Sequence, residues 1–195
     1  MNYLGHAFLS FGDKEILTGN MIGDYVKGNK TLEQLPDKIK KGVILHRKID
    51  AFTDQHPAIL RAKIWFKQDY GLYSGAILDS LFDHFLANDP KYFLSEADLK
   101  TFSNDTYSKL ETQQAHFPEA FLRFFPNMKE HDWLFNYRNL KGMKKSLEGL
   151  KRRALYLSEI DKAYEIFIAQ YYQLAQCYYE LMDDLYPYVY EHIVI

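Results

Sequence analysis

Val43-Ile44-Leu45-His46-Arg47-Lys48-Ile49-Asp50-Ala51-Phe52-Thr53-Asp54-Gln55-His56 carries an apolar run straight into two imidazoles and two carboxylates. Pro36-Asp37 opens the segment as helix starts do, with proline near the first turn. From Ile39, steps of four, three and four reach Val43, His46 and Asp50, and Ile39, Val43 and Ile44 mark the buried side. His46 and Asp50 thus continue an inner helical stripe. A carboxylate carried inward is unfavourable unless it is paired or bound to a cation. An imidazole and a carboxylate four apart on one helix face are spaced to hold one metal ion.

The same periodicity extends outward in both directions. Leu4, Phe8 and Phe11 leave His6 within a short helical segment from Tyr3 to Phe11, and Gly12-Asp13 breaks it, with Asp13 as N-cap of a second segment reaching Lys27. Gly19 and Gly23 lie inside that segment, where glycine is roughly 1 kcal/mol worse than alanine. Close approach of another backbone or of a ligand is the usual reason. Asp24 is either an outward-facing helix residue or an inward-facing site residue. His56-Pro57 starts a basic amphipathic helix through Gln68, with Leu60 and Ile64 inside and Arg61, Lys63 and Lys67 outside. Gly75 to Ala87 is the most apolar helix, yet it contains Asp79, Asp83 and His84. A helix apolar nearly all round is buried, so its carboxylates need a cation or basic partners, with Arg47 and Lys48 as the alternative to a metal.

In the second half, Ser95-Glu96-Ala97-Asp98 reads as a capping box for a helix to about Glu111. Pro118 to Phe125 and Asn127 to Tyr137 read as two shorter helical pieces. His131-Asp132, a doublet shared with metal phosphohydrolases, sits in the polar run Lys129-Glu130-His131-Asp132 and reads as solvent-facing. Leu140 to Tyr156 is a basic helix. Ser158-Glu159-Ile160-Asp161 caps a final long helix, whose apolar stripe from Ile160 to Leu185 is a packing face that Pro187 ends. There is no strand-like alternation, internal repeat or linker, so the expected fold is all-α. It is a single domain over residues 1–195, with a metal-site half of about 1–90 and a helical packing half of about 91–195.

Composition narrows the function. Hydrophobic residues make up 47% and aromatic residues 16% of the chain, which excludes a disordered protein, and a net charge of -2 does not suggest nucleic acid. The charge is unevenly spread. Lys27, Lys30, Lys38, Lys40, Lys41, Arg47, Lys48, Arg61, Lys63 and Lys67 face only Glu33, Asp37, Asp50 and Asp54, whereas acids dominate after Glu159. Such a split steers an anionic partner toward the basic half. Cys177 is alone, so no internal disulfide forms, and its Tyr-rich surroundings predict a buried thiol. The N-terminal sequence does not read as a signal peptide and no apolar run suits a membrane span, so a reducing cytoplasm is expected.

His6, Asp24, His46, Asp50, Asp83 and His84 come from four segments, each on or beside an apolar stripe. Together they read as a His/Asp metal centre. Imidazole and carboxylate ligands without cysteine suit Mn, Fe, Mg or Zn, and mixed N/O ligation favours manganese or iron over calcium. Such a centre acidifies water and neutralises phosphoryl oxygens. Phosphate-loop, GxSxG, HExxH and di-iron ExxH patterns are missing from the sequence.

Met1-Asn2-Tyr3-Leu4-Gly5-His6-Ala7, Gly19-Asn20-Met21-Ile22-Gly23-Asp24-Tyr25-Val26-Lys27-Gly28, Gly42 through Pro57 and Phe82-Asp83-His84-Phe85-Leu86-Ala87 resemble the signature blocks of acyl carrier protein phosphodiesterases, divergent relatives of the HD phosphohydrolases. The likeness is close over residues 1 to about 90 and looser beyond. Tyr3 and Gly5 stand where the family more often has Phe and Ala. The resemblance implies a helical bundle like the HD-domain fold and hydrolysis of the phosphodiester joining 4'-phosphopantetheine to a serine of holo acyl carrier protein. It implies a divalent metal, manganese first, with Fe2+ or Mg2+ as alternatives. Asp24, His46, Asp83 and His84 are then the candidate metal ligands, with His6 and Asp50 either touching the metal or orienting residues that do; Asp24, His46, Arg47 and Asp50 are catalytic; Lys27, Arg47 and Lys48 bind substrate. The basic excess suits an acidic carrier protein, with neither nucleic acid nor membrane as partner. The alternatives are a broader metal phosphohydrolase acting on nucleotides or small phosphodiesters, and a non-catalytic helical binding module.

Overall fold

The computed structural model describes residues 1–153 and 160–194; among these the chain is all-α, with twelve helices and no strand. The helices are α1 (Tyr3–Phe8), α2 (Lys14–Ile22), α3 (Gly28–Leu32), α4 (Asp37–Gln55), α5 (Pro57–Tyr70), α6 (Ser74–Ala87), α7 (Glu96–Glu111), α8 (Glu119–Glu130), α9 (Trp133–Asn136), α10 (Leu140–Arg153), α11 (Asp161–Ala169) and α12 (Tyr171–Val194). A short 3-10 turn, Gly23–Tyr25, follows α2 directly.

The tightest packing is between α2 and α4, and the two glycines singled out in α2 explain it. A Cβ on Gly19 would lie 2.0 Å from the Ile39 carbonyl oxygen, and one on Gly42 would lie 2.3 Å from that of Ile16. The backbones therefore touch where both side chains are hydrogen. Contacts of Asp13 with Lys38, Gly19 with Gly42 and Gly23 with His46 advance together, so the two helices run parallel. Asp13 caps α2 as expected, accepting from the amides of Glu15 and Ile16. Ser95 caps α7 through the Asp98 amide.

Buried apolar side chains form one continuous cluster from Met1 to Val189. Around it, α12 packs against α4, α5 and α6, so the acidic last helix lies against the basic first half. His56 ties these parts together: its Nδ1 accepts from the Ala58 amide and its Nε2 lies 3.2 Å from Asp184.

Several local expectations are corrected. In α4, Ile44 is 40% exposed, and the buried members are Ile39, Gly42, Val43, Leu45, His46, Ile49 and Thr53. In α5, Leu60 and Ile64 face outward, whereas Ala58, Ile59, Ala62, Phe66 and Tyr70 are buried. Two stripes satisfied the helical period there, and the one with small alanines admits closer packing. Proline ends neither helix in which it was expected to act as a boundary. Pro126 sits inside α8, and α12 continues through Pro187 to Val194. The long C-terminal helix is divided at Gln170 into α11 and α12. Asp132 is only partly exposed; in a left-handed conformation (φ 42°) it caps α9 and bonds Lys100 and Ser103. His131 is exposed. Cys177 is buried, as its surroundings suggested. The expected helix end at Tyr156 and the Ser158-Glu159 cap lie outside the described residues. No described helix is long and apolar enough to cross a membrane.

Candidate metal centre

Three helices contribute a residue each to a small polar site: His6 from α1, Asn20 from α2 and His46 from α4. All three are buried. The Nδ1 of His6 is 2.8 Å from Asn20 Oδ1, and the Nδ1 of His46 is 2.8 Å from the Asn20 carbonyl oxygen. Asn20 Nδ2 donates to the His6 carbonyl and to Ser10 Oγ, which assigns the orientation of the amide. Both partners of the imidazoles are therefore acceptors, so each ring carries its proton on Nδ1 and turns the lone pair of Nε2 away from Asn20. A Cβ on Gly23 would lie 2.2 Å from Cγ of His46, so that glycine makes room for the ring.

Both lone pairs point at Asp50. His6 Nε2 is 3.3 Å and His46 Nε2 is 3.2 Å from its two carboxylate oxygens. The rings stack with centroids 4.0 Å apart. One ligand atom from each of His6, His46 and Asp50 fits within a span of 4.8 Å. Lone pairs facing a carboxylate repel unless a proton or a cation lies between them, and two imidazoles this close resist being charged together. Without a metal the answer is one proton: burial opposes charge on His46, but Asp24 and Asp50 outweigh it and raise that ring to about 9. Burial and the neighbouring His46 charge lower His6 to about 4. Asp50 is lowered because both imidazoles outweigh its burial. The donor set, pre-aimed from behind by Asn20, fits a divalent metal in place of that proton.

Asp24 approaches from the 3-10 turn with its oxygen 3.4 Å from His46 Nε2, while its side chain stays 73% exposed. The hydrogen bond to His46 lowers its pKa. Of the two readings of this residue, it is a surface residue that nevertheless touches the site. Arg47 donates to the Val26 carbonyl and so fastens the turn that carries Asp24. Lys27, Arg47 and Lys48 are exposed.

Asp83 and His84 are not brought into this cluster. Asp83 is fully buried and accepts from the amides of Asn2, Leu4 and Gly5 at 2.7–3.1 Å, so it caps α1 and holds the helix bearing His6. Its burial pushes it up to about 7 despite those donors. In place of the metal or basic side chain expected for it, Asp83 has backbone N–H groups and the nearby Met1 ammonium, which pairs with Asp79 at 2.7 Å. His84 Nδ1 is 2.7 Å from the Tyr137 carbonyl and its Nε2 is 3.1 Å from the Tyr171 hydroxyl. Both nitrogens are engaged in joining α6 to the second half, and burial lowers its pKa. Sequence reasoning missed Asn20. Its place between the flagged Gly19 and Gly23, one helical turn from each other, was the available signal.

Comparison with known proteins bears on this arrangement. A family model described as acyl carrier protein phosphodiesterase matches residues 1–185. A protein of that name from Photorhabdus laumondii subsp. laumondii is 27% identical over 98% of this chain and 94% of its own length. One from Yersinia pestis is 29% identical over 95% of this chain and 92% of its own, and one from Enterobacter sp. is 27% identical over 89% and 93%. No solved structure matches the chain.

Proposed function

The chain belongs to the acyl carrier protein phosphodiesterase family, and from that premise we propose that it hydrolyses the phosphodiester joining 4'-phosphopantetheine to the serine of holo acyl carrier protein. The products are the apo carrier and free 4'-phosphopantetheine. The observation that carries the chemistry is the pair of imidazole lone pairs converging with Asp50, each aimed by Asn20.

His6, His46 and Asp50 would hold a divalent metal, and two imidazoles with one carboxylate suit manganese, with iron or magnesium as alternatives. When bound, the metal supplies Lewis-acid polarisation of the phosphoryl oxygens and acidifies water. Asn20 keeps both rings in the ligating tautomer. Asp24, exposed beside His46, orients the attacking water in line with the serine oxygen and receives its proton; the bond from phosphorus to the serine oxygen breaks, and that oxygen leaves as the hydroxyl by taking a proton from solvent. Arg47 holds the Asp24 turn in place, and its charge, with Lys27 and Lys48, sits where an anionic substrate approaches. Asp83 supports the site by anchoring α1, and His84 by tying α6 to the second half. Lys27, Lys30, Lys41, Arg47 and Lys48 have no carboxylate partner within salt-bridge distance among the described residues, whereas Lys38, Lys40, Arg61 and Lys63 do. Free cations of this kind favour encounter with an acidic carrier protein more than tight binding. The continuous core supports reading both halves as one catalytic domain. The carrier substrate and a lone buried cysteine fit a cytoplasmic setting.

Incubation with holo acyl carrier protein and manganese, followed by intact-mass spectrometry, tests the assignment. Loss of the prosthetic group, blocked by a chelator, is expected. An unchanged carrier mass would overturn it, and salt-insensitive cleavage of small phosphodiesters alone would point to a broader phosphohydrolase.

A further inference from the structure

We propose that the aromatic shelf formed by Tyr3, Tyr25, Phe124 and Trp133 binds the pantetheine arm of the substrate. The inference rests on the function proposed above and adds a subsite to it. Two elements that carry residues of the site, α1 and the 3-10 turn, also carry the first two rings, of which Tyr3 is buried. Tyr3 lies one helical turn before His6 on α1, and Tyr25 follows Asp24 on the 3-10 turn. Their hydroxyls hydrogen-bond to each other at 2.9 Å. From there the rings run outward: Tyr3 to Phe124 at 5.3 Å, Tyr25 stacked on Phe124 at 6.2 Å and 22°, and Phe124 to Trp133 at 5.3 Å. Tyr25, Phe124 and Trp133 are each partly exposed.

A phosphodiester at the centre has two substituents of opposite character. One is an acidic protein, for which the unpaired cations of α3 and α4 are the matching surface. The other is a neutral chain of methylenes, a gem-dimethyl carbon and two amides. Apolar walls with few convergent polar groups are what such a chain requires. Aromatic faces accept the methyl and amide groups of such a chain. The shelf is continuous in sequence with two residues of the site, and this continuity favours the arm over an unrelated partner.

The test uses the manganese-loaded full chain carrying Trp65→Phe, which leaves Trp133 as the one tryptophan; Trp65 lines a separate groove with Cys177. Pantetheine, which lacks phosphate, should give a saturable change in Trp133 emission, and inorganic phosphate should not. Tyr25→Ala should raise the pantetheine dissociation constant about tenfold or more, as truncating an aromatic anchor does, with manganese affinity by calorimetry unchanged within about twofold. Phe124→Leu, which keeps apolar volume and removes the ring, should act in the same direction. No saturable change with pantetheine, or equal affinity in both variants and parent, overturns the subsite. If holo carrier is cleaved while pantetheine does not bind, the shelf alone is refuted. If pantetheine binds and the carrier is not cleaved, the proposed function falls and the shelf stands.

Discussion

Replacing Asn20 by alanine separates the alignment of the metal ligands from their mere presence. The side chain is fully buried and makes three hydrogen bonds, to His6 Nδ1, the His6 carbonyl and Ser10 Oγ, at 2.8–3.0 Å. Two of these are ordinary bonds whose loss removes about 0.5–1.5 kcal/mol each, and the third leaves a buried imidazole N–H without an acceptor, at about 1–3 kcal/mol. The expected destabilisation is about 2–6 kcal/mol, which a domain of typical stability survives at 25 °C. His6 is then free to carry its proton on Nε2 and donate it to Asp50. That tautomer cannot bind metal, so manganese affinity should fall about 10–100-fold, as for the loss of other groups that orient metal ligands. Urea unfolding followed by circular dichroism measures the first quantity and calorimetric titration with manganese the second. Ser10→Ala is the control, since it removes the bond from Asn20 Nδ2 and the bond to the His6 carbonyl but leaves His6 Nδ1 in place. It should lower stability and spare the metal. The reasoning is refuted if folded N20A binds manganese within about twofold of the parent, or if S10A weakens binding as much.

Gly23→Ala should lower manganese affinity at least about tenfold with helical content intact, because its φ of -50° admits alanine while the Cβ meets the His46 ring; unchanged calorimetry would contradict the packing. In the chelated protein, His46 is raised from 6.5 to about 9, so its contribution is fully present below pH 6.5 and is lost as pH rises through 9. Thermal melts in chelator should therefore show stability falling between pH 7 and 10 by up to about 3 kcal/mol, and His46→Gln should flatten that loss. Lys27→Glu and Lys48→Glu should each raise KM for holo carrier several-fold and weaken its salt dependence while kcat stays close to the parent value, as steady-state kinetics at two ionic strengths would show.

The all-α fold was legible because helical periodicity is a local property of the chain. The stripe Ile39-Val43-His46-Asp50 needs no knowledge of neighbours, nor do the Asp13 and Ser95 caps. Gly19 and Gly23 announced close approaches without naming what approached. The α5 stripe was misread because Leu60 and Ile64 obey the same period as Ile59, Ala62 and Phe66, and only the position of α6 and α12 selects between them. The same limit applied to the acids. Asp50 and Asp83 both lie on inner stripes and were equal candidates for a cation. Tertiary structure sets the amides of Asn2, Leu4 and Gly5 against Asp83 and two imidazole lone pairs against Asp50. Spacing along one helix thus determined that Asp83 turns inward, whereas Asp50, expected on the inner stripe, sits at its edge with its side chain 42% exposed. Whether such a carboxylate meets N–H donors or another acceptor depends on segments remote in the chain, 78–81 residues away for Asp83 and on the separate helix of His6 for Asp50, and only the second arrangement calls for a metal.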